Sequence, residues 1–187
     1  MAEKRKNWNG LISGFSASDL VFLDESGCNT DMTRRYAYSF GGSRAVDSTP
    51  LSKPKNTTIL SSIQLNETLH YTTFSGGTTV ERFKRYLETD LLPHLNGNSI
   101  LVMDNMKSHH AKAVKELLDS SGVRYIYLPP YSPDLNSFEK LWSKVKALLR
   151  KFKARTLDAL PNAIQNAFHS VTVSDCSGWF RFCGYAL

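Results

Sequence analysis

Cysteine is scarce in this chain, and what little there is excludes two classes of protein. Cys28, Cys176 and Cys183 are odd in number and none stands in the CxxC pairing of zinc sites, so neither a disulfide framework nor a thiolate zinc centre is expected. Free or buried thiols in a reducing cytoplasm fit instead. No apolar run approaches the roughly 20 residues that span a bilayer, which excludes a membrane helix. The basic start of the chain is not followed by an apolar segment, so residues 1–18 do not read as a secretory signal and are expected to lead, as polar chain, into the fold. Internal repeats, low-complexity tracts and long linkers are missing too. One domain of 187 residues is therefore expected, long enough to bury roughly two-thirds of its unfolded surface. Its core should cover residues 18–155, with a helical tail over 156–187.

Acid is absent from one stretch in particular. Net charge is +6, a mild bias towards anionic partners, but Lys140, Lys144, Lys146, Arg150, Lys151, Lys153 and Arg155 share one window with no acidic residue among them. Such a window is either a nucleic-acid contact or a solvated helix face.

Residues 19–24 are an apolar run closed by Asp24, which reads as a buried strand turning at Glu25, Ser26 and Gly27. Residues 28–55 carry Gly41, Gly42, Pro50 and Pro54 and read mostly as loop, with a short strand near residues 36–40. Two β-prone runs, 57–65 and 68–74, flank Asn66 and Glu67 and predict a hairpin on a two-residue turn. Thr78 and Glu81 have capping-box spacing before a helix carrying Val80, Phe83, Leu87 and Leu91. Residues 99–104 form a second apolar strand ending in an acid, Asp104. Ser108 is then placed to cap a helix with Val114, Leu117 and Leu118, which Gly122 stops before a strand at 123–128. Pro129, Pro130 and Pro133 enforce an extended approach to the clearest helix. There Phe138, Leu141, Trp142, Val145, Leu148 and Leu149 step by three and four. A helix over 156–171 and an aromatic tail at 179–185 close the chain. Antiparallel strands followed by strand–helix units imply an α/β fold, a mixed sheet of ribonuclease-H-like order with helices packed on it.

Three acids stand out. Asp24 and Asp104 both end apolar strands, where ligand crevices form in open α/β sheets, although an Asp there also serves as an ordinary turn former. Glu139 lies in the first turn of the strong helix. With Asn136 three residues earlier it has the spacing of a cap, which alone would account for both residues. Taken together the three suit phosphoryl transfer, which needs charge placed around the reacting phosphate more than covalent chemistry. Hard divalent cations take carboxylate oxygen, and a pair of them about 3.5–4 Å apart can activate the attacking oxygen and stabilise the leaving one.

Three segments then resemble one family, the DDE transposases of the mariner-like superfamily in their bacterial insertion-sequence branch. Residues 21–27 (VFLDESG), with Asn29, Thr30 and residues 33–36, look like its first-acid block. Residues 102–109 (VMDNMKSH) are similar to its second, and residues 128–142 (LPPYSPDLNSFEKLW) to its third. The 34 residues between Asp104 and Glu139 match the family's usual spacing. The resemblance runs from about residue 18 to Tyr185. It implies a ribonuclease-H-like fold in which Asp24, Asp104 and Glu139 hold Mg²⁺ or Mn²⁺, as two ions, with Asn105, His109 and Asn136 in support. It further implies cleavage at transposon ends and joining of the freed 3′-hydroxyl to target DNA, by a cytoplasmic, nucleoid-associated enzyme that can act as a homodimer. Helical steps of four, seven and eleven from Glu139 reach Ser143, Lys146 and Arg150, and the candidate DNA contacts on this helix are Lys144, Lys146, Arg150 and Lys151. Two departures appear. Ser137 stands where the family usually has Pro, a replaceable first helical residue. Nothing before Asp19 is long enough for the family's helix-turn-helix reader of terminal repeats, so the chain reads as the catalytic part alone, either a fragment or the downstream product of a split reading frame, the latter with a separate helix-turn-helix polypeptide as partner. A stand-alone nuclease on the same fold, or an inactive DNA-binding remnant, remain the alternatives.

Overall fold

The computed structural model describes residues 2–34, 36–51, 54–66 and 69–185. A five-stranded sheet organises them, in the order β3-β2-β1-β4-β5. β1 (Leu20–Cys28) pairs antiparallel with β2 (Thr57–Ile63), which pairs antiparallel with β3 (Leu69–Ser75). On its other side β1 runs parallel to β4 (Ile100–Met103), and β4 to β5 (Arg124–Tyr127). The mixed sheet and its ribonuclease-H-like order are those expected.

Side chains of a strand alternate between faces, and this sheet is buried on both. Leu20 and Phe22 of β1, with Ile100 and Val102 of β4, face one core layer, built by α4 (Phe138–Phe152), α5 (Leu160–His169) and α6 (Val173–Phe182). Val21 and Leu23, with Leu101 and Met103, face the other, built by α2 (Val80–Tyr86) and α3 (Lys112–Ser121). Burial on both faces explains why β1 and β4 read as continuous apolar runs rather than alternating ones.

Several expectations need correction. β1 does not turn after Asp24; it continues to Cys28, paired with β2 throughout. Gly27 serves close approach instead, because a Cβ there would lie 2.7 Å from Oδ1 of Asn56. No strand forms near residues 36–40; Tyr36, Tyr38 and Phe40 are exposed, with a short 3₁₀ turn over Phe40–Gly42. The hairpin stands, but Ile63 pairs with Leu69, so its connection spans residues 64–68 rather than two, and Glu67 and Thr68 lie outside the described residues. Thr79, not Thr78, caps α2 by accepting from the Arg82 N–H. Ser108 caps nothing: α3 begins four residues later without a side-chain cap. Gly122 stops α3 as expected, in the left-handed conformation at φ 72°.

The chain ends also depart from expectation. Residues 2–12 are not featureless but form a helix, α1 (Ala2–Ile12), whose Trp8 is 4% exposed in the α4 layer. Beyond α5 a second helix, α6, replaces the aromatic tail, started by a capping box of Thr172 and Asp175. Phe180 and Tyr185 pack edge-on and tilted against Phe22 with ring centroids 5.3 and 5.0 Å away. Neither end is legible as packed structure in the residues alone, because their apolar residues are few and spaced by tertiary contact rather than by a long helical period. Trp8→Ala should therefore lower the unfolding free energy by about 3 kcal/mol in a urea titration, the usual loss for a large buried aromatic. An unchanged midpoint would mean that α1 does not dock.

Candidate active site

The parallel register pairs Leu23 with Met103, so the next residues, Asp24 and Asp104, emerge side by side, where β4 ends and β1 runs on beside it. Both line one cleft of about 650 Å³, together with Glu25, Asn105, Asn136, Glu139, Trp142 and Lys146. The third acid therefore shares the cleft of the other two. Its floor is the middle of β1 and the end of β4, and its far wall is the N-terminal half of α4.

Each acid is held differently. Asp24 is half-buried, and its Oδ1 accepts the Glu25 backbone N–H at 2.7 Å. Oδ2 accepts Nδ2 of Asn136 at 2.9 Å and, more weakly, the Trp142 indole N–H at 3.4 Å. Burial, with the negative charge of Asp104 adding to it, pushes the Asp24 carboxyl up to about 7. Asp104 is tied differently, its Oδ1 accepting the Met106 N–H at 2.9 Å and lying 2.8 Å from Nδ1 of His109. Burial works to raise this carboxyl too, but the bonds from His109 and Met106 outweigh it and hold Asp104 below the usual carboxylate range. Glu139 is exposed in the first turn of α4. Its side chain does not close a capping box: Asn136 Oδ1 accepts the Phe138 N–H at 3.1 Å, but the Asn136 N–H goes to the Pro133 carbonyl. Asn136 thus takes the first N–H of α4 and braces Asp24 at once, while Glu139 has no part in that contact.

The remaining supporting residues are also placed. Asn105 donates to the Leu128 carbonyl at the start of the proline-rich loop, joining the second-acid and third-acid segments. His109 is fully buried, stacked on Phe83 with centroids 4.2 Å apart. Burial alone would lower its imidazole, but the carboxylates of Asp104 and Glu25 prevail and raise it to about 9. The loop carries Tyr131 in a left-handed conformation at φ 56°, with its ring exposed on the lip of the cleft. Arg5 of α1 reaches the same loop at Asp134, 3.0 Å from Oδ1.

The seven cations of residues 140–155 separate into two groups. Four have structural partners. Lys144 donates to Asp175 and, at 2.8 Å, to the Ser170 carbonyl, so it fastens α4 to the start of α6 and is not a free DNA contact. Lys140 lies 3.7 Å over the Phe182 ring, Lys153 pairs with Asp47, and Arg155 donates to the carbonyls of Thr30, Met32 and Ser48. Lys146, Arg150 and Lys151 have no hydrogen bond or ion pair among the described residues. Of these, Lys146 lines the acidic cleft. Lys151 lies about a third of a turn away from the Glu139 stripe, given 3.6 residues per turn.

A divalent cation fits the chemistry of these donors. Oxygen ligands of Asp24, Asp104 and Glu139 suit Mg²⁺ or Mn²⁺. By the count of lone pairs, Asp24 Oδ1 keeps one and Asp104 Oδ2 accepts no bond. Nevertheless, among the described residues no three His, Cys, Asp or Glu side chains are gathered closely enough to hold an ion by themselves. Such cations keep several waters and take up phosphate oxygens, so an open set of this kind is compatible with them.

Fold and cleft together define a ribonuclease-H-like α/β domain with carboxylates side by side on adjacent parallel strands. Residues 19–161 match the model of the DDE superfamily endonuclease family, and the chain belongs to that family. The Tc1 transposase of Caenorhabditis elegans is 26% identical over 97 residues, which are 50% of this chain and 36% of that protein. Among solved structures, a pre-cleavage Mos1 transpososome superposes with a TM-score of 0.80 at 19% identity, covering 96% of this chain and 58% of that one. The Mos1 mariner paired-end complex with Mn gives 0.80 at 20% identity, covering 96% and 58%. The isolated Mos1 catalytic domain gives 0.73 at 16% identity, covering 96% and 85%. These structural likenesses establish the fold. The match spans about a third of the Tc1 relative and under two-thirds of the Mos1 chains in the transpososome and paired-end complex.

The charge states have a measurable consequence. Asp24 and His109 both titrate higher in the fold than unfolded, so each contributes stability at low pH and loses it as pH rises through about 7 and about 9. In EDTA the melting temperature should fall steadily from pH 5 to pH 9, and Mn²⁺ should recover more of it at pH 8 than at pH 5. A metal-free melting temperature that is flat or rising over that range would contradict these assignments. Lys144→Met should cost about 1 kcal/mol of stability, as for a half-exposed ion pair, and leave DNA affinity unchanged.

Proposed function

We propose that this chain is the catalytic domain of a DNA transposase, a metal-dependent polynucleotidyl transferase that cuts at transposon ends and joins the 3′-hydroxyl to target DNA. The observation that carries this reading is the common cleft: Asp24, Asp104 and Glu139 line it together, inside the segment that matches the endonuclease family. Bound Mg²⁺ or Mn²⁺, two ions by analogy with the family, would supply positive charge to the reacting phosphate and lower the pKa of an attacking water. The chain's own residues do the rest. Asp24, Asp104 and Glu139 would hold the ions, with Asn136 and Trp142 fixing Asp24 and with Asn105 joining the two acid-bearing loops. Lys146, at the cleft wall, and Arg150, one turn further along the same stripe of α4, would grip the phosphate backbone leading in. Lys151 is a weaker candidate, off that stripe.

The relatives support the same partners. The Mos1 structures include a paired-end complex with the left transposon end, a strand transfer complex, and complexes with Mn or Mg. Transposon-end and target DNA are therefore the proposed substrates. Pairing of two copies, and end recognition by a helix-turn-helix segment on a separate polypeptide, belong to the same proposal. No helix among the described residues is long and apolar enough to cross a membrane. The placement with bacterial cytoplasmic, nucleoid-bound DNA rests on the resemblance to the insertion-sequence branch alone and is part of the same proposal.

With Mn²⁺ and labelled duplex carrying a transposon end, the chain should nick DNA and join the 3′ end to a second duplex. Asp24→Asn, Asp104→Asn and Glu139→Gln should each reduce both steps at least about a thousandfold. Nicking without joining would favour a stand-alone nuclease, and DNA binding with neither step would favour an inactive remnant. The double substitution Lys146→Ala, Arg150→Ala should lower the slope of log affinity against log salt by about two. An unchanged slope would remove those residues from the DNA path.

A further inference from the structure

Asp24 and Glu25 are neighbours on a strand, so their side chains leave opposite faces of the sheet. Asp24 joins α4 through Asn136 and Trp142, while Glu25 lies on the side of Val21 and Leu23, where Phe83 and His109 pack. Its side chain is only 12% exposed, and neither carboxylate oxygen has a hydrogen-bond partner. A carboxylate buried in that state is costly unless a charge answers it. The nearest answer is the imidazole of His109, whose Nε2 lies 3.5 Å from Glu25 Oε2, an ion-pair contact too long and misaligned for a hydrogen bond. The other ring nitrogen, Nδ1, lies 2.8 Å from Oδ1 of Asp104.

Asp104 needs such a brace. It follows a strand of only four residues and leads into a loop, with its side chain 42% exposed. His109 supplies a rigid one, because its ring is fully buried and clamped flat against Phe83. With Oδ1 occupied by His109 and the Met106 N–H, Oδ2 is left as the oxygen free for the cleft.

We propose that Glu25 and His109 act as one positioning unit for Asp104, a carboxylate–imidazole–carboxylate chain that reaches the site from behind the sheet. Glu25 fixes the ring from one side, the ring fixes Asp104 Oδ1 from the other, and Asp104 Oδ2 is thereby aimed at the metal site. Glu25 is not itself a ligand. This rests on the metal-binding reading of the preceding section. Outer-sphere partners of this kind are typically worth 10- to 100-fold in metal affinity.

The test is Mn²⁺ affinity of the whole chain without DNA, read by electron paramagnetic resonance at one fixed pH, with circular dichroism confirming the fold of each variant. Glu25→Ala should weaken Mn²⁺ binding 10- to 100-fold. Glu25→Gln keeps the shape of the side chain but removes the charge that answers the imidazole, and should lose affinity nearly as far as Glu25→Ala. His109→Gln should match Glu25→Ala, and the double variant should be no worse than the poorer single one. Should His109→Gln fail to fold, the two Glu25 variants decide alone. Near wild-type affinity in Glu25→Gln, or losses that multiply in the double variant, would mean that the charge of Glu25 does not act through His109 and would overturn the proposal. Wild-type affinity in all variants would overturn it as well. A wild-type chain that binds no Mn²⁺ would instead remove the metal-site reading and this inference with it.

Discussion

Two like charges side by side are the constraint around which the rest of this molecule is arranged. The register of β1 and β4 places Asp24 and Asp104 side by side, and their repulsion adds to burial in pushing Asp24 up to about 7. A fold selected for stability alone would separate them. Here they are pinned: Asp24 by a backbone N–H, an amide and an indole, Asp104 by a backbone N–H and an imidazole. Strain of this kind clusters at functional sites, where the surrounding structure over-determines the arrangement.

The pins come from opposite sides of the sheet. Asn136 and Trp142 belong to the α4 layer, so the helix that presents Glu139 also holds the first acid. His109 and Glu25 belong to the α2–α3 layer and hold the second. Each acid thus draws its rigidity from a different core, and the cleft lies where the two supports meet. The basic window divides as well. Lys140, Lys144, Lys153 and Arg155 are taken up by contacts within the fold, while Lys146 faces the cleft and Arg150 and Lys151 have no hydrogen bond or ion pair among the described residues.

Much of this was legible in the residues. β1, β4 and α4 were written as apolar runs or as a period of three and four, and the acids at their ends needed no structure to be noticed. Less visible was anything that depends on packing across the chain. Glu25 looked like part of a turn because Ser26 and Gly27 follow it, yet β2 pairing carries the strand past all three. Trp142 read only as one more residue of an apolar face, and nothing local reveals that its N–H meets Asp24 across 118 positions. Lys144 and Lys146 are indistinguishable in a charge count. Only helical phase and the position of Asp175 send one inward to α6 and the other to the cleft. Trp8 lacked any signal, since a single aromatic in a polar helix predicts no docking surface.

The indole of Trp142 gives the molecule a built-in optical gauge. It is one of three tryptophans, and its N–H donates to an oxygen whose charge must change whenever a proton or a cation arrives at Asp24. Emission from that ring therefore reports occupancy of the first acid from within, with no dye attached and no nucleic acid present.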